Sequence, residues 1–246
     1  MSRVDRLTTL INHFNLSVRP APLSEATLVV VGAEDGSPRK ATLRATAEGN
    51  DIPPGDILFA AEVDWGGMSN PLIAALPTMV EFDLSKDTAS MGLIMLMQSE
   101  LSAQRCGADP VINRLAEILI VRMLRSQIEA GSTQPGLLAG LSDPRLSRAI
   151  VAIHDHPGRD WRNEYLAQIA GLSLSRFAEV FLATVGEPPA AYLRRWRLTL
   201  ARQDVIKGGR VDAIAHRYGY VSSEGFARAF KKHFGENPIS QRPKPM

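Results

Sequence analysis

Residues 211–238 read VDAIAHRYGYVSSEGFARAFKKHFGENP, and this stretch decides how the chain is read. Ile214, Ala215 and Tyr218 fall on one face of a first helix, and Gly219 ends it because a turn there calls for a left-handed backbone. Ser222 or Ser223 can cap a second helix by accepting from an unpaired first-turn amide. Phe226, Phe230 and Phe234 recur every four residues, so they share a face, and that face is core. The opposite face carries Ser223, Glu224, Ala227, Arg228, Lys231 and Lys232, mostly cationic with small residues between. A helix-turn-helix presents its second helix to the DNA major groove in this manner, so DNA binding is the first expectation.

The arrangement occurs twice. Asn163 to Gly186 repeats it: a helix with Leu166, Ile169 and Ala170, then Gly171, serines 173 and 175, and Phe177 and Phe181. Gly171 corresponds to Gly219, Phe177 to Phe226 and Phe181 to Phe230. Between the copies, Pro189 to Val205 holds no breaker and carries Arg194, Arg195, Arg197 and Arg202. As a helix it spans about 25 Å at 1.5 Å per residue, a spacer on the order of one DNA turn of about 34 Å.

Charge separates this basic part from what precedes it. Residues 1–142 hold 11 Lys and Arg against 16 Asp and Glu, a balance of −5, whereas residues 143–246 hold 17 against 10, a balance of +7. A basic surface suits a polyanion through counterion release, although the same charge also suits a solvated face. At 246 residues, 45% hydrophobic and 22% charged, the chain is long enough for two globular domains. No apolar run reaches the roughly 18 to 20 residues of a membrane span, and the start lacks the features of a signal peptide, so a cytoplasmic location without a membrane partner is expected. The one cysteine, Cys106, excludes an intrachain disulfide and a cysteine-rich zinc site.

The acidic part begins with a short amphipathic helix over Val4 to Phe14. Strand-like runs follow at Ala26 to Val31, Lys40 to Ala47 and Asp56 to Ala60, separated by Gly- and Pro-rich turns, a pattern of a small sandwich or barrel. Leu72 to Asp83 fits helix or strand equally. Met91 to Ala103 and a segment opened by Pro110 through about Ile128 read as helices. The apolar girdle of the second, which includes Val111, Ile112, Leu115, Ile118, Leu119, Ile120, Val121 and Met123, suits either a packed pair of helices or a twofold dimer. Residues 131–142, with GSTQPG at their start, read as a linker that leaves the basic part free to reorient. Pro144 to His154 forms the next helix, with Leu146, Ile150 and Ile153 in a stripe.

Residues 143–246 resemble the DNA-binding domain of AraC/XylS-type bacterial transcription regulators. The resemblance rests on DPRLSRAI, HDHPGRDW, LAQIAGLSLSRFAEVF, GEPPAAYLRRWRLTLAR and GYVSSEGFARAFKKHFGENP, in that order. RCGADPVINRLAEILIVRMLRSQI, residues 105–128, is similar to the dimerising helices of the subgroup whose first domain is cupin-like. The resemblance implies that the start of each second helix reads bases: Ser175, Arg176, Ala178 and Glu179 in the first unit, and Ser223, Glu224, Ala227 and Arg228 in the second. An arginine such as Arg228 can give two hydrogen bonds to guanine. Glu179 departs from the family, which often has a basic or amide residue there; its carboxylate either accepts from cytosine N4 or repels the backbone. Arg194, Arg197, Lys231 and Lys232 are expected on phosphates, with a structural salt bridge as the alternative for Arg194 and Arg197.

The remaining chemistry is sparse. A cupin metal site needs an HxH pair with a later glutamate and histidine, yet residues 1–142 hold one histidine, His13. His154 and His156 fall at a helix end, where favourable interaction with the helix dipole is the expected role. There is no GxSxG, GxxxxGK[ST] or HExxH.

The expected fold is α+β: a small degenerate cupin-like β-domain with a helical dimerisation segment over about 90–129, then an all-α domain with two helix-turn-helix units joined by a linker helix. The expected boundaries are 1–130 for the regulatory and dimerisation domain, 131–142 for the linker and 143–246 for the DNA-binding domain, with units at about 163–186 and 211–236. The expected function is sequence-specific transcriptional regulation by a dimer, without enzymatic activity, cofactor or metal. Double-stranded DNA, a second copy, a small-molecule effector and RNA polymerase are the partners considered. The alternatives are an interaction protein with degenerate units, encouraged by Glu179 and Glu224, and a cupin-type enzyme.

Overall fold

The computed structural model describes residues 7–13, 16–44, 54–65, 79–103, 105–131 and 135–241. Two compact units emerge, Phe14–Gln134 and the combination of Met1–His13 with Pro135–Met246. The opening helix α1, Thr8–His13, therefore counts with the C-terminal unit, where Leu7 and Leu10 are buried. The outer parts of the helix expected over 4–14 lie outside the described residues.

The first unit is built on a five-stranded antiparallel sheet. Its strands are β1 (Ser17–Pro20), β2 (Leu28–Gly32), β3 (Pro38–Arg44), β4 (Ile57–Asp64) and β5 (Met79–Asp83), in spatial order β1-β4-β2-β3-β5. All five residues of β2 are buried, as an unbroken LVVVG run covered on both faces requires. Register places Leu28 opposite Leu43 of β3 and Ala61 of β4. Along β4, Phe59, Ala61 and Val63 are buried and alternate with partly exposed residues, the period-two pattern of a strand with one apolar face. The expected strands correspond to β2, β3 and β4; residues 45–47 of the second lie outside the described region. β5 resolves residues 79–83 of the ambiguous segment as strand, and residues 72–78 are outside the described region. β1 was not anticipated: its four residues show no alternation, and it is defined by pairing Ser17 with Asp64 across 47 positions of sequence.

Two helices, α2 (Thr88–Ala103) and α3 (Ala108–Ala130), complete this unit. Pro110 sits in the first turn of α3, where its missing N–H is of no consequence. Asp87 ahead of α2 accepts from the Ser90 amide at 3.2 Å and hydroxyl at 2.8 Å. Arg122 of α3 grips the same carboxylate, with Nη2 2.7 Å from each oxygen, and its Nε donates to Ser90 Oγ at 2.7 Å. Asn113 Oδ1 accepts from the Val18 amide at 2.5 Å, fixing α3 to β1. The face of α3 carrying Ile112, Ala116, Leu119, Ile120, Met123, Leu124 and Ile128 is buried. Met95, Leu96 and Leu101 of α2 and Val111 and Ile118 of α3 remain exposed.

The second unit is helical. After α1 come α4 (Leu137–Ser142), α5 (Leu146–Asp155), α6 (Asn163–Ala170), α7 (Leu174–Val185), α8 (Pro189–Ile206), α9 (Val211–Arg217), α10 (Ser223–Phe234) and a 3-10 turn at Pro238–Gln241. Helix α4 corrects the linker expected over 131–142: Leu137, Leu138 and Leu141 are almost fully buried, so the second half of that stretch is core. The Gly136 amide donates to Thr184 O at 2.9 Å, and a Cβ on Gly140 would lie 2.6 Å from Ile150 Cδ1 and 2.9 Å from Val185 Cγ2. The glycine admits α4 between α5 and α7. Composition marked the segment as loose, but the apolar spacing of LLAGL buries it.

Candidate nucleic-acid interface

Helices α6 and α7 meet at a bend of 82° across a short turn. Gly171 caps α6 at φ 70°, and the Leu172 amide donates back to Ala167 O at 2.9 Å. In the second unit Gly219 takes φ 75°, and the Tyr220 amide donates to Ala215 O at 2.9 Å. Both backbones need the left-handed region that glycine enters without steric cost. The capping serines are Ser173 and Ser222, whose hydroxyls accept from the Arg176 amide at 3.4 Å and the Gly225 amide at 3.1 Å. Phe177 with Phe181 and Phe226 with Phe230 are fully buried, as their spacing demanded. Phe234 is partly exposed and lies under the Arg202 guanidinium, 4.9 Å from its ring centroid.

Ser175, Arg176 and Glu179 are exposed at the start of α7, and Ala178 is partly so; Glu224 and Arg228 are exposed on α10, with Ser223 and Ala227 partly covered. Arg176 Nη1 lies 2.9 Å from Glu179 Oε2, so these two residues face each other on one turn. On α10 the Glu224 carboxyl is held below the ordinary carboxylate range by its own backbone amide, then by the Ser222 hydroxyl, with the Arg228 charge adding to this. Aligned by capping serines, Glu179 stands where the second unit has Arg228, Leu182 where it has Lys231, and Ala183 where it has Lys232. Lys231 and Lys232 are exposed. The second turn is also one residue longer, and it presents Val221 almost fully exposed.

Helix α8 joins the two units through its buried side. His154 Nε2 lies 2.5 Å from the Tyr192 hydroxyl, and the His154 ring stacks on Trp196 at 3.9 Å between centroids. Burial pushes the Tyr192 phenol far above its usual range. His154 is thus an interior residue, while His156 is exposed and its carbonyl accepts from Trp161 Nε1 at 2.9 Å. The helix also anchors α9, since Asp204 Oδ2 accepts from Arg217 Nη1 at 2.7 Å and from the Tyr218 hydroxyl at 2.9 Å. Of the cations on α8, Arg194 is exposed. Arg197 is half-buried, and donates from Nε to Pro157 O and from Nη2 to Arg159 O, each at 2.7 Å. Arg195 pairs with Glu187 at 2.6 Å.

Gly158 lies so close to the end of α9 that a Cβ there would meet Arg217 O at 2.1 Å. This packs the 157–159 loop directly beneath the second turn. Sequence spacing did not reveal that support, because the loop and the turn are about sixty positions apart and touch through backbone atoms. Among the described residues, no three His, Cys, Asp or Glu side chains are grouped to hold a metal ion, and no single helix is long and apolar enough to cross a membrane.

The two units correspond to known families. A helix-turn-helix domain profile matches residues 166–243, and a cupin profile matches residues 14–129. A putative AraC-like transcription regulator of Streptomyces lividans is 33% identical over 224 residues, covering 89% of this chain and 70% of that protein. The regulator AlkR of Acinetobacter baylyi is 34% identical over 181 residues, 71% of this chain and 59% of its own length. A putative AraC-like regulator of Streptomyces antibioticus is 37% identical over 152 residues, 61% of this chain and 50% of its own. The chain thus spans between half and 70% of the length of these relatives. Among solved structures, the DNA-binding domain of AdpA in complex with a target DNA is similar at 25% identity and a TM-score of 0.38, over 40% of this chain and 89% of that one. On the strength of the Streptomyces lividans relative and the paired cupin and helix-turn-helix domains, the chain belongs to the AraC-like transcription regulators.

Proposed function

We propose that the chain is a sequence-specific DNA-binding transcription regulator that acts in the cytoplasm, with α7 and α10 entering major-groove segments on one side of a duplex. The observation that carries this reading is the pair of helix-turn-helix units in one helical body, each with a phenylalanine face buried and the opposite face of its second helix open to solvent. Such a helix start offers side chains to base edges. Arg228 is the residue best placed for guanine, while Lys231 and Lys232 serve phosphates. Ser175, Arg176, Ala178, Ser223, Glu224 and Ala227 complete the reading surface, and Glu179 is held by Arg176. Arg194 is available to a phosphate, whereas Arg197 is engaged with backbone carbonyls and serves the fold.

The first unit would hold two copies together through α2 and α3, on which the apolar side chains of Met95, Leu96, Val111 and Ile118 are exposed. A small-molecule effector in the cupin-like domain and contact with RNA polymerase fit the same scheme. Selection of random genomic fragments by the full chain at several salt concentrations tests the reading. A common motif should be enriched above background, with affinity falling as salt rises; uniform recovery of all fragments removes the regulator assignment.

A further inference from the structure

The two reading helices differ in a way that their shared architecture hides. Helix α10 carries Arg228, Lys231 and Lys232 against the single acid Glu224, whereas α7 carries one arginine and one glutamate, paired with each other at 2.9 Å. A helix without net charge gains little from phosphates. Helix α7 instead shows a stripe of Leu174, Ala178 and Leu182, spaced four apart on one face, with Leu174 43% and Leu182 49% exposed and Leu182 standing in the place of Lys231. The core of the unit does not use this stripe, since Phe177, Phe181 and Val185 fill that role. Ala178 corresponds to Ala227 of α10 in the capping-serine register, which places the stripe on the side of α7 matching the reading side of α10.

We infer that the two units divide the work, with α10 adding charge-based affinity to its base contacts and α7 reading thymine through apolar contact of Leu174 with a C5-methyl group in the major groove, while Leu182, in the register of the phosphate-facing Lys231, lines the groove wall without charge. Of the four bases thymine alone offers a methyl there, and an apolar side chain discriminates in its favour without needing a charge. The Arg176–Glu179 pair assists by cancelling the charge that would otherwise pull the helix toward phosphates. This inference rests on the DNA-binding reading above.

Duplexes enriched from the genomic pool test it when resynthesised with uracil in place of thymine, which removes only the methyl groups. The intact chain should lose about fourfold in affinity per methyl contacted, the ordinary worth of one buried methyl. The double variant Leu174→Ala with Leu182→Ala should bind thymine and uracil duplexes equally, with its salt dependence unchanged. Lys231→Ala should keep the thymine preference and reduce the slope of log affinity against log salt by about 0.9. Retained thymine preference in the leucine double variant overturns the inference, as does a shallower salt slope in it. Unchanged affinity in that variant assigns the stripe to a protein partner and likewise overturns it. Failure to enrich any fragment instead removes the DNA-binding reading on which it depends.

Discussion

Arg197 and Arg228 show how alike side chains on two helices come to different ends. The Arg197 guanidinium donates to two backbone carbonyls of the 157–159 loop, and burial draws its proton affinity below the usual arginine value. Charged donors to carbonyls are worth about 1.5 to 3 kcal/mol each, and leaving the carbonyls unpaired adds a desolvation cost. Arg197→Ala is therefore expected to lower stability by about 3 kcal/mol or more in urea unfolding, while the salt dependence of DNA binding stays as it was. Arg228 is exposed. Arg228→Ala is expected to leave stability nearly unchanged and to relax preference at one base position by about 1 to 3 kcal/mol, measured by competition among single-base variants of an enriched site. Lys232→Ala, by contrast, should weaken all sites alike. A lone arginine in a sequence does not announce which fate it has, because the deciding carbonyls come from distant residues.

Helices in this protein are secured at their ends as much as along their faces. The Asp87 carboxyl sits at the head of α2 and is held down to about 2 from its ordinary 3.8, first by hydrogen bonds from Arg122 of α3. A carboxyl whose folded value is depressed stabilises the fold fully above its unfolded value of about 4, and that contribution drains away as pH falls from about 4 toward about 2. With its side chain partly open to solvent, the contribution is about 1 to 2 kcal/mol. Urea unfolding of Asp87→Asn is expected to show lower stability at pH 6 and a shallower loss between pH 4 and pH 2 than the parent chain. The capping serines and turn glycines of the helix-turn-helix units act at the same scale, and they were legible because cap, turn and apolar face lie within a few residues of one another. Helix α4 was not, since its glycine and nearby proline signal a linker until Ile150 and Val185 are found against it.

For the molecule as a whole, the acidic first part is proposed to hold two copies together and the basic second part to contact DNA. The exposed apolar side chains of α2 and α3 are those through which assembly is expected, and Met95→Glu with Ile118→Glu should convert a dimer to monomers in sedimentation measurements. The same variant should bind enriched fragments at least tenfold more weakly if two copies engage one site, since joint binding multiplies affinity. The sequence alone determined the two helix-turn-helix units, the linker helix between them and the family, because helix period, capping serines and turn glycines are local signals repeated in one chain. Only the tertiary structure decided the strand order, the burial of α4, the use of Arg197 on the 157–159 loop and the exposure of Leu174 and Leu182. Each of those depends on residues far apart in sequence meeting in space, where close packing and pairing leave no mark on spacing or composition.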